Sequence, residues 1–320
     1  MKELELIKVI KETLTDNYYI GNDCADLKEV GMFITQDTLV EDIHFSLKTT
    51  TPYMLGQKAV AVNISDLATT LCNPVYISIG LSIPNSISVD FVREFYKGVD
   101  FACKKYNVVV TGGDITSSEK IFISIAAVGR RRHSVDVSRN FAQAGDFIIS
   151  TGHFGSSAAG LYALNNSLKV SDEIINAHLI PEARLYEAHL AGQTIERNLA
   201  IMDTSDGLAD ALYKVAKASD VSINVNFDDI PVLPEVRQLA IDNKVDIKDW
   251  VLWGGEDFEL LLFVNYFEYA ILSSKGFKYI GSVSDNTEIH KPIVKIIEKD
   301  NSIIIDENLF NKKTYNHFGG

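Results

Sequence analysis

The run Val108-Val109-Val110-Thr111-Gly112-Gly113-Asp114 constrains this chain more than any other stretch. Three consecutive β-branched residues read as a short buried strand. Two glycines then end it in a turn that needs no Cβ. The turn delivers one carboxylate, Asp114, with Thr116, Ser117 and Ser118 close behind. Bare backbone N–H groups can face an anion while the carboxylate holds a divalent cation, so the run suits a phosphate bound with a metal ion. Gly-Gly-Asp is also a common turn, and alone it implies only a loop between strands.

The acid at a chain turn recurs. Asp23, Asp37, Asp114, Asp203 and Asp206 each fall at a loop or strand end beside Gly, Ser or Thr. Asp66 is the exception, inside an otherwise apolar helix expected from Pro52 to about Leu71, where a carboxylate is costly unless paired or bound to a cation. One such acid is ordinary turn chemistry. Six suggest several divalent cations with oxygen ligands, the donor type Mg²⁺ prefers. No nucleophile–base pair stands out, and His44 beside Asp42 reads as a surface pair. There is no G-x-x-x-x-G-K-[ST], so a nucleotide would need another cradle. Gly254-Gly255-Glu256-Asp257-Phe258 repeats the Gly-Gly-acid arrangement below Trp250 and Trp253. Glu256 reads either as the partner of a cationic organic ligand or as a turn cap beside core tryptophans.

Bulk properties narrow the class. At 320 residues the chain can hold two domains. A net charge of −13 argues against nucleic acid as the main partner. No apolar run has the length of a membrane span, and the charged start Met1-Lys2-Glu3 is unlike a signal peptide, so a cytoplasmic protein is expected. Cys24, Cys72 and Cys103 lack metal or disulfide spacing and read as reduced thiols.

Periodicity predicts an amphipathic helix over residues 1–16, with Leu4, Ile7, Ile10 and Leu14 on one face. A strand at Met32–Thr35 is expected to end at Asp37. Further strands are expected at Val75–Ile83 and Ile121–Val128, with a helix to Tyr106 carrying Phe91, Phe95, Val99 and Cys103 on one face. Arg130-Arg131-Arg132-His133 reads as a solvated boundary segment. Beyond it, strands are expected near 147–150, 200–202, 222–227, 258–264 and 277–283. Helices are expected from Gly155, from Pro181 to about Ile195, from Leu208, from Pro234 and near Phe267.

Several stretches together resemble the thiamine-monophosphate kinase family. They are Gly21-Asn22-Asp23-Cys24-Ala25, Thr35-Gln36-Asp37-Thr38-Leu39-Val40, His44-Phe45, Lys58 through Ala68, Gly112-Gly113-Asp114, Ser156 through Leu161, Met202 through Leu208, Gly254 through Leu260 and the closing Tyr315-Asn316-His317-Phe318. The wider superfamily includes aminoimidazole ribonucleotide synthase. The resemblance implies an α/β (α+β) chain. Its N-terminal domain, 1–137, would be ferredoxin-like and build a shared barrel in a homodimer. A PurM-like C-terminal α/β domain, 138–320, would cover the cleft. The implied reaction transfers the γ-phosphate of ATP in line to thiamine monophosphate, giving thiamine diphosphate, with several Mg²⁺ ions and no general base. Carried over position by position, Asp23, Thr35, Gln36, Asp37, Asp66, Asp114, Asp203 and Asp206 match metal contacts. Tyr106, Gly112, Gly113, Asp114, Arg139 and Ser205 match ATP contacts, and His44, Glu256 and Tyr315 match substrate contacts. Three positions depart from the family pattern: Asn22 where a second Asp is usual, Gln36 for Thr or Ser, and Ser117 for Arg. A superfamily relative with another substrate and a non-catalytic nucleotide-binding protein are the alternatives.

Overall fold

The structure is a computed structural model that describes residues 3–285, 292–299 and 301–315. After helix α1 (Glu3–Thr13), the chain forms β1 (Ala25–Leu27), β2 (Met32–Val40), α2 (Pro52–Thr69), β3 (Asn73–Ile83), α3 (Val89–Tyr106), β4 (Val109–Ser117) and β5 (Phe122–Arg130). Their five-stranded sheet has the order β1-β2-β5-β3-β4, antiparallel except for the β3–β4 pair. Alternation decides its buried face: Phe33 and Leu39, Ile77, Ile79 and Leu81, and Ile123 and Ile125 all point inward. Leu55, Val62 and Leu67 of α2 and Phe95 and Val99 of α3 cover them. Both helices start on hydroxyl caps, Thr51 accepting from the Met54 N–H and Ser88 from the Phe91 N–H.

The rest of the chain adds β6 (Phe147–Ser150), α4 (Ser156–Asn165), α5 (Asp172–Leu179), α6 (Leu185–Gly192), β7 (Ala200–Asp203), α7 (Leu208–Ser219), β8 (Ser222–Asn226), α8 (Pro234–Asp242) and α9 (Ile247–Trp253). β9 (Leu260–Val264), α10 (Tyr266–Ser274), β10 (Lys278–Ser284), β11 (Val294–Glu298), β12 (Asn301–Ile305) and α11 (Glu307–Lys313) follow. Seven strands run in the order β12-β11-β8-β10-β6-β9-β7. The end of α2 joins the two halves: Ala68 and Leu71 share a core with Ile201, Leu260 and Leu262.

Several sequence expectations are corrected here. Val109 and Val110 are not buried, and Gly112-Gly113 is not a turn. Both glycines lie inside β4, the outermost strand, whose every residue from Val109 to Ser117 is exposed. Gly113 is needed because a Cβ there would sit 1.8 Å from the Ile79 carbonyl oxygen. β2 runs on to Val40, so Asp37 is mid-strand. Pro181 lies in a loop before α6, and α5 is a helix that periodicity did not suggest. Arg131 is not a solvated boundary residue: it pairs with Asp26 and stacks 4.7 Å from the Phe33 ring centre. Ile10 and Leu14 remain exposed, so the first helix buries little. Asn316, His317 and Phe318 lie outside the described residues.

Helices α2 and α3 touch through glycine. A Cβ on Gly98 would stand 1.9 Å from the Tyr53 carbonyl oxygen, and one on Gly56 would stand 2.2 Å from that of Phe95. Alanine favours an isolated helix over glycine by about 1 kcal/mol, but here backbone must move to admit it. Gly98→Ala is therefore expected to destabilise the protein by ~1–3 kcal/mol, the usual cost of overpacking, read as a lowered urea midpoint with unchanged slope. A higher midpoint would show that the helices are not closely apposed.

Candidate active site

Asp66 of α2 opens into a cleft of about 640 Å³ between the two halves, while Lys58, Asn63 and Ser65 of the same helix are buried behind it. Asp66 meets Thr35 of β2, whose hydroxyl is 2.5 Å from Asp66 Oδ2 and 2.9 Å from the Asp23 carbonyl. One hydroxyl has one hydrogen, so both contacts are hydrogen bonds only when Asp66 is protonated. Ser65 donates to Asp203 Oδ2 at 2.6 Å, tying the end of β7 to the same helix. Asn63 accepts the Asp37 backbone N–H at 3.1 Å.

The result is a cluster in which Asp23, Asp66 and Asp203 each bring an oxygen within 4.8 Å of the others. Burial, reinforced by the Asp37, Asp203 and Asp23 charges, holds the Asp66 carboxyl well above the usual carboxylate range. Burial and then Asp23 push Asp203 up to about 7 against the Ser65 hydrogen bond. Asp203 is 1% exposed and its Oδ1 has no hydrogen-bond partner, although nearly all buried polar atoms have one. Hard carboxylate oxygens, one of them unsatisfied, fit a divalent cation of the Mg²⁺ type. Arg139 reaches Asp23 from the other half of the chain.

A second group lies at the same cleft, with His44, His178 and Glu256 lining it and Lys58 buried behind them. Lys58, 2% exposed, donates to the His44 carbonyl at 3.0 Å and pairs with Glu256 at 2.9 Å. His178 of α5 approaches Glu256 at 3.2 Å. Burial alone would raise the Glu256 carboxyl, but Lys58 and His178 outweigh it and hold it at about 2. Glu256 is thus a permanent carboxylate inside the protein. His44 Nδ1 accepts the Val40 N–H at 3.0 Å, which leaves Nε2 carrying the proton in the neutral ring. Next to Glu256, Asp257 accepts the Gly155 and Ser157 N–H groups, so the start of α4 is capped by the chain's own carboxylate.

Asp23, Thr35, Gln36, Asp37, Asp66, Arg139, Ser205, Asp206, His44, Glu256 and Tyr315 all line this cleft. Tyr106, Gly112, Gly113 and Asp114 do not. The Tyr106 hydroxyl accepts the Ala183 N–H inside the core. Asp114, opposite Gly80, is three strands from Asp37, roughly 14 Å at the usual inter-strand spacing. Asn22 spends its side-chain oxygen on Ser138 and the Arg139 N–H, an anchoring job that needs no charge. The Gln36 side chain donates to Ser124. Lys58, His178 and Lys214 were not singled out from sequence. Lys58 carried a usable signal, a charge inside an apolar helix; His178 carried none.

Residues 21–131 match the family described as AIR synthase related protein, N-terminal domain. The thiamine-monophosphate kinase of Bacillus subtilis (strain 168) is 33% identical over 317 residues, covering 93% of each chain. That of Aquifex aeolicus (strain VF5) is 34% identical over 266 residues, covering 81% of this chain and 84% of its own. Among solved structures, AaThiL complexed with AMPPCP and TMP superposes with a TM-score of 0.84 at 30% identity, covering 99% of this chain and 97% of that one. The mixed α/β architecture and the ordered acids of the cleft thus coincide with sequence likeness along nearly the whole chain: it belongs to the thiamine-monophosphate kinase family.

Proposed function

We propose that this protein transfers the γ-phosphate of ATP to thiamine monophosphate, giving ADP and thiamine diphosphate, in the cleft between its two halves. The observation that carries this is the meeting of Asp23, Asp66 and the buried Asp203, drawn from both halves, within 4.8 Å of one another, with Asp23 and Asp66 lining the same cleft as Glu256. Both substrates are phosphate anions, and the acceptor also carries a cationic ring. A cleft with a carboxylate cluster and a separate permanent carboxylate suits that pair of charges.

Asp23, Asp66 and Asp203 would hold Mg²⁺, with Asp37 beside them. Bound there, Mg²⁺ supplies positive charge that lets two phosphate groups approach in line. Arg139 adds a fixed positive charge beside Asp23. Ser205 and the His44 Nε2–H offer donors to phosphate oxygens. Glu256, held ionised by Lys58, faces the cationic ring, and the half-buried Trp253 and the Tyr315 ring line the same space. The acceptor oxygen is already ionised near neutral pH, so no side chain need remove a proton from it. Catalysis is then positioning and electrostatic stabilisation.

Of the residues placed elsewhere, Gly112, Gly113 and Asp114 belong to a proposed homodimer, while Tyr106 stays in the core. The β4 edge is bare on both faces, with Val109 60% and Ile115 63% exposed. Pairing that edge with a second copy would close the shared barrel, bury these side chains and bring Gly112, Gly113 and Asp114 to a phosphate site. Residues 1–137 and 138–320 are proposed as the two domains. A cytoplasmic location goes with the three free cysteines, and no described helix is long and apolar enough to cross a membrane.

ADP release measured with thiamine monophosphate, with aminoimidazole-type acceptors and with no acceptor tests the reaction. Release only with thiamine monophosphate is expected, and Asp203→Asn should lose at least about 100-fold in kcat, as for loss of an electrostatic catalytic group. Equal release without acceptor would defeat the proposal. Ile115→Lys is expected to convert a dimer to a monomer by light scattering and to lower activity with it. A wild-type monomer with full turnover would remove the dimer from the reading.

The raised Asp203 and Asp66 carboxyls also set a pH dependence. Both folded values lie above the unfolded ones, so their contribution to stability is complete below about pH 4 and is lost as pH rises, for Asp203 through about 7. In EDTA the Tm should therefore fall between pH 5.5 and 8. Mg²⁺ should raise it more at pH 8 than at pH 5.5, since the ion competes with protons. Asp203→Asn should flatten both effects. Equal Mg²⁺ stabilisation at the two pH values would contradict metal binding at this cluster.

A further inference from the structure

The first turns of α7 hold an ion-pair group that the mechanism above does not use. Lys214 lies one turn beyond Asp210, and its ammonium nitrogen is 2.6 Å from Asp210 Oδ2 and 2.9 Å from Asp206 Oδ2. Asp210 is 1% exposed, and its other oxygen accepts from the Thr314 hydroxyl at 2.8 Å. Lys214, Asp206 and Asp210 all line the cleft that Arg139, Asp23 and Asp66 also line. The ammonium is thus clamped between two carboxylates at the wall of the cleft.

We infer that Lys214 is a resident cation of the phosphate site: its ammonium takes the seat between Asp206 and Asp210, so Asp206 is an ion-pair partner in this chain and not a metal ligand. Mg²⁺ sits about 2.1 Å from a carboxylate oxygen. An ion on the Asp206 oxygen that Lys214 holds would therefore stand no more than roughly 5 Å from the ammonium. Two positive centres that close repel each other, and both draw on a carboxylate whose charge the first has already partly offset. The contrast with Asp203 is chemical. Asp203 has no lysine beside it, whereas Asp206 and Asp210 share one. Part of the positive charge needed beside the phosphates is then covalently attached and does not depend on metal concentration. A lysine suits this as a compact point charge, where a bidentate guanidinium would impose a geometry.

The inference rests on the proposed site but is tested without turnover. Mn²⁺, with no nucleotide or acceptor, is counted on the full-length protein from its free EPR signal. Asp206→Asn is expected to bind as many Mn²⁺ ions per chain as the wild type, while Asp203→Asn binds fewer. Lys214→Met, which leaves two carboxylates without their cation, should gain one Mn²⁺, and the gain should vanish in Lys214→Met/Asp206→Asn. Loss of an ion in a folded Asp206→Asn protein would overturn the inference. An unchanged count in a folded Lys214→Met protein would overturn it equally. If Asp203→Asn retains every ion while Asp206→Asn also does, the acid-cluster reading fails and the Lys214 inference stands.

Discussion

Mutual repulsion of carboxylates is the constraint around which this molecule is arranged. At 4.8 Å and an effective dielectric of about 20, two ionised carboxylates repel by ~3 kcal/mol. Three such pairs would approach 10 kcal/mol, the size of a whole domain's stability. The cluster of Asp23, Asp66 and Asp203 therefore cannot be fully ionised without a counter-charge. Burial, with this repulsion added to it, raises the Asp66 and Asp203 carboxyls. What holds the acids together against this repulsion is hydrophobic packing elsewhere.

That packing is concentrated on α2. The helix is buried around nearly its whole circumference, against the first sheet, α3 and the strands of the second half. An apolar helix buried on all sides leaves little freedom to turn about its axis or slide. Lys58, Ser65 and Asp66, at i, i+7 and i+8, consequently face one direction. From one rigid element the chain places a lysine against Glu256, a hydroxyl against Asp203 and a carboxylate against Thr35. The close glycine contact with α3 serves the same end by bringing a second helix against the first without intervening side chains.

The parts of this that sequence disclosed were those with a local cost. A carboxylate inside an apolar helix has to be satisfied somehow, so Asp66 declared itself. So did the recurrent acids beside Gly, Ser and Thr, most of which do converge. What failed depended on neighbours that the chain order does not name. Val108-Val109-Val110 has strand character, but whether a strand is central or outermost is decided by sheet order, and β4 is the outermost. Gly112-Gly113 has the look of a turn. Its real cause is the approach of Ile79's carbonyl to position 113, a tertiary fact. Asp37 was placed at a strand end because the polar run Gln36-Asp37-Thr38 interrupts the apolar pattern. The strand continues because β5 pairs with it from Met32 to Val40. His178 was illegible, since nothing near it in sequence shows that α5 will turn it toward Glu256.

The cleft answers the same electrostatic problem in two ways, and the difference separates its two tasks. Glu256 is neutralised by Lys58, a charge that cannot leave, and its carboxyl is pulled down to about 2. Asp203 is neutralised by whatever is available, and its carboxyl rises to about 7. A carboxylate with a fixed partner has little left to gain from a small mobile cation, but it still accepts a hydrogen bond or faces a large ring whose charge is spread over many atoms. A carboxylate without one gains the whole of the relief when a compact divalent ion arrives. In a chain carrying net charge −13, the placement of a lysine therefore separates Glu256, whose charge is fixed, from Asp203, whose charge depends on what else is present.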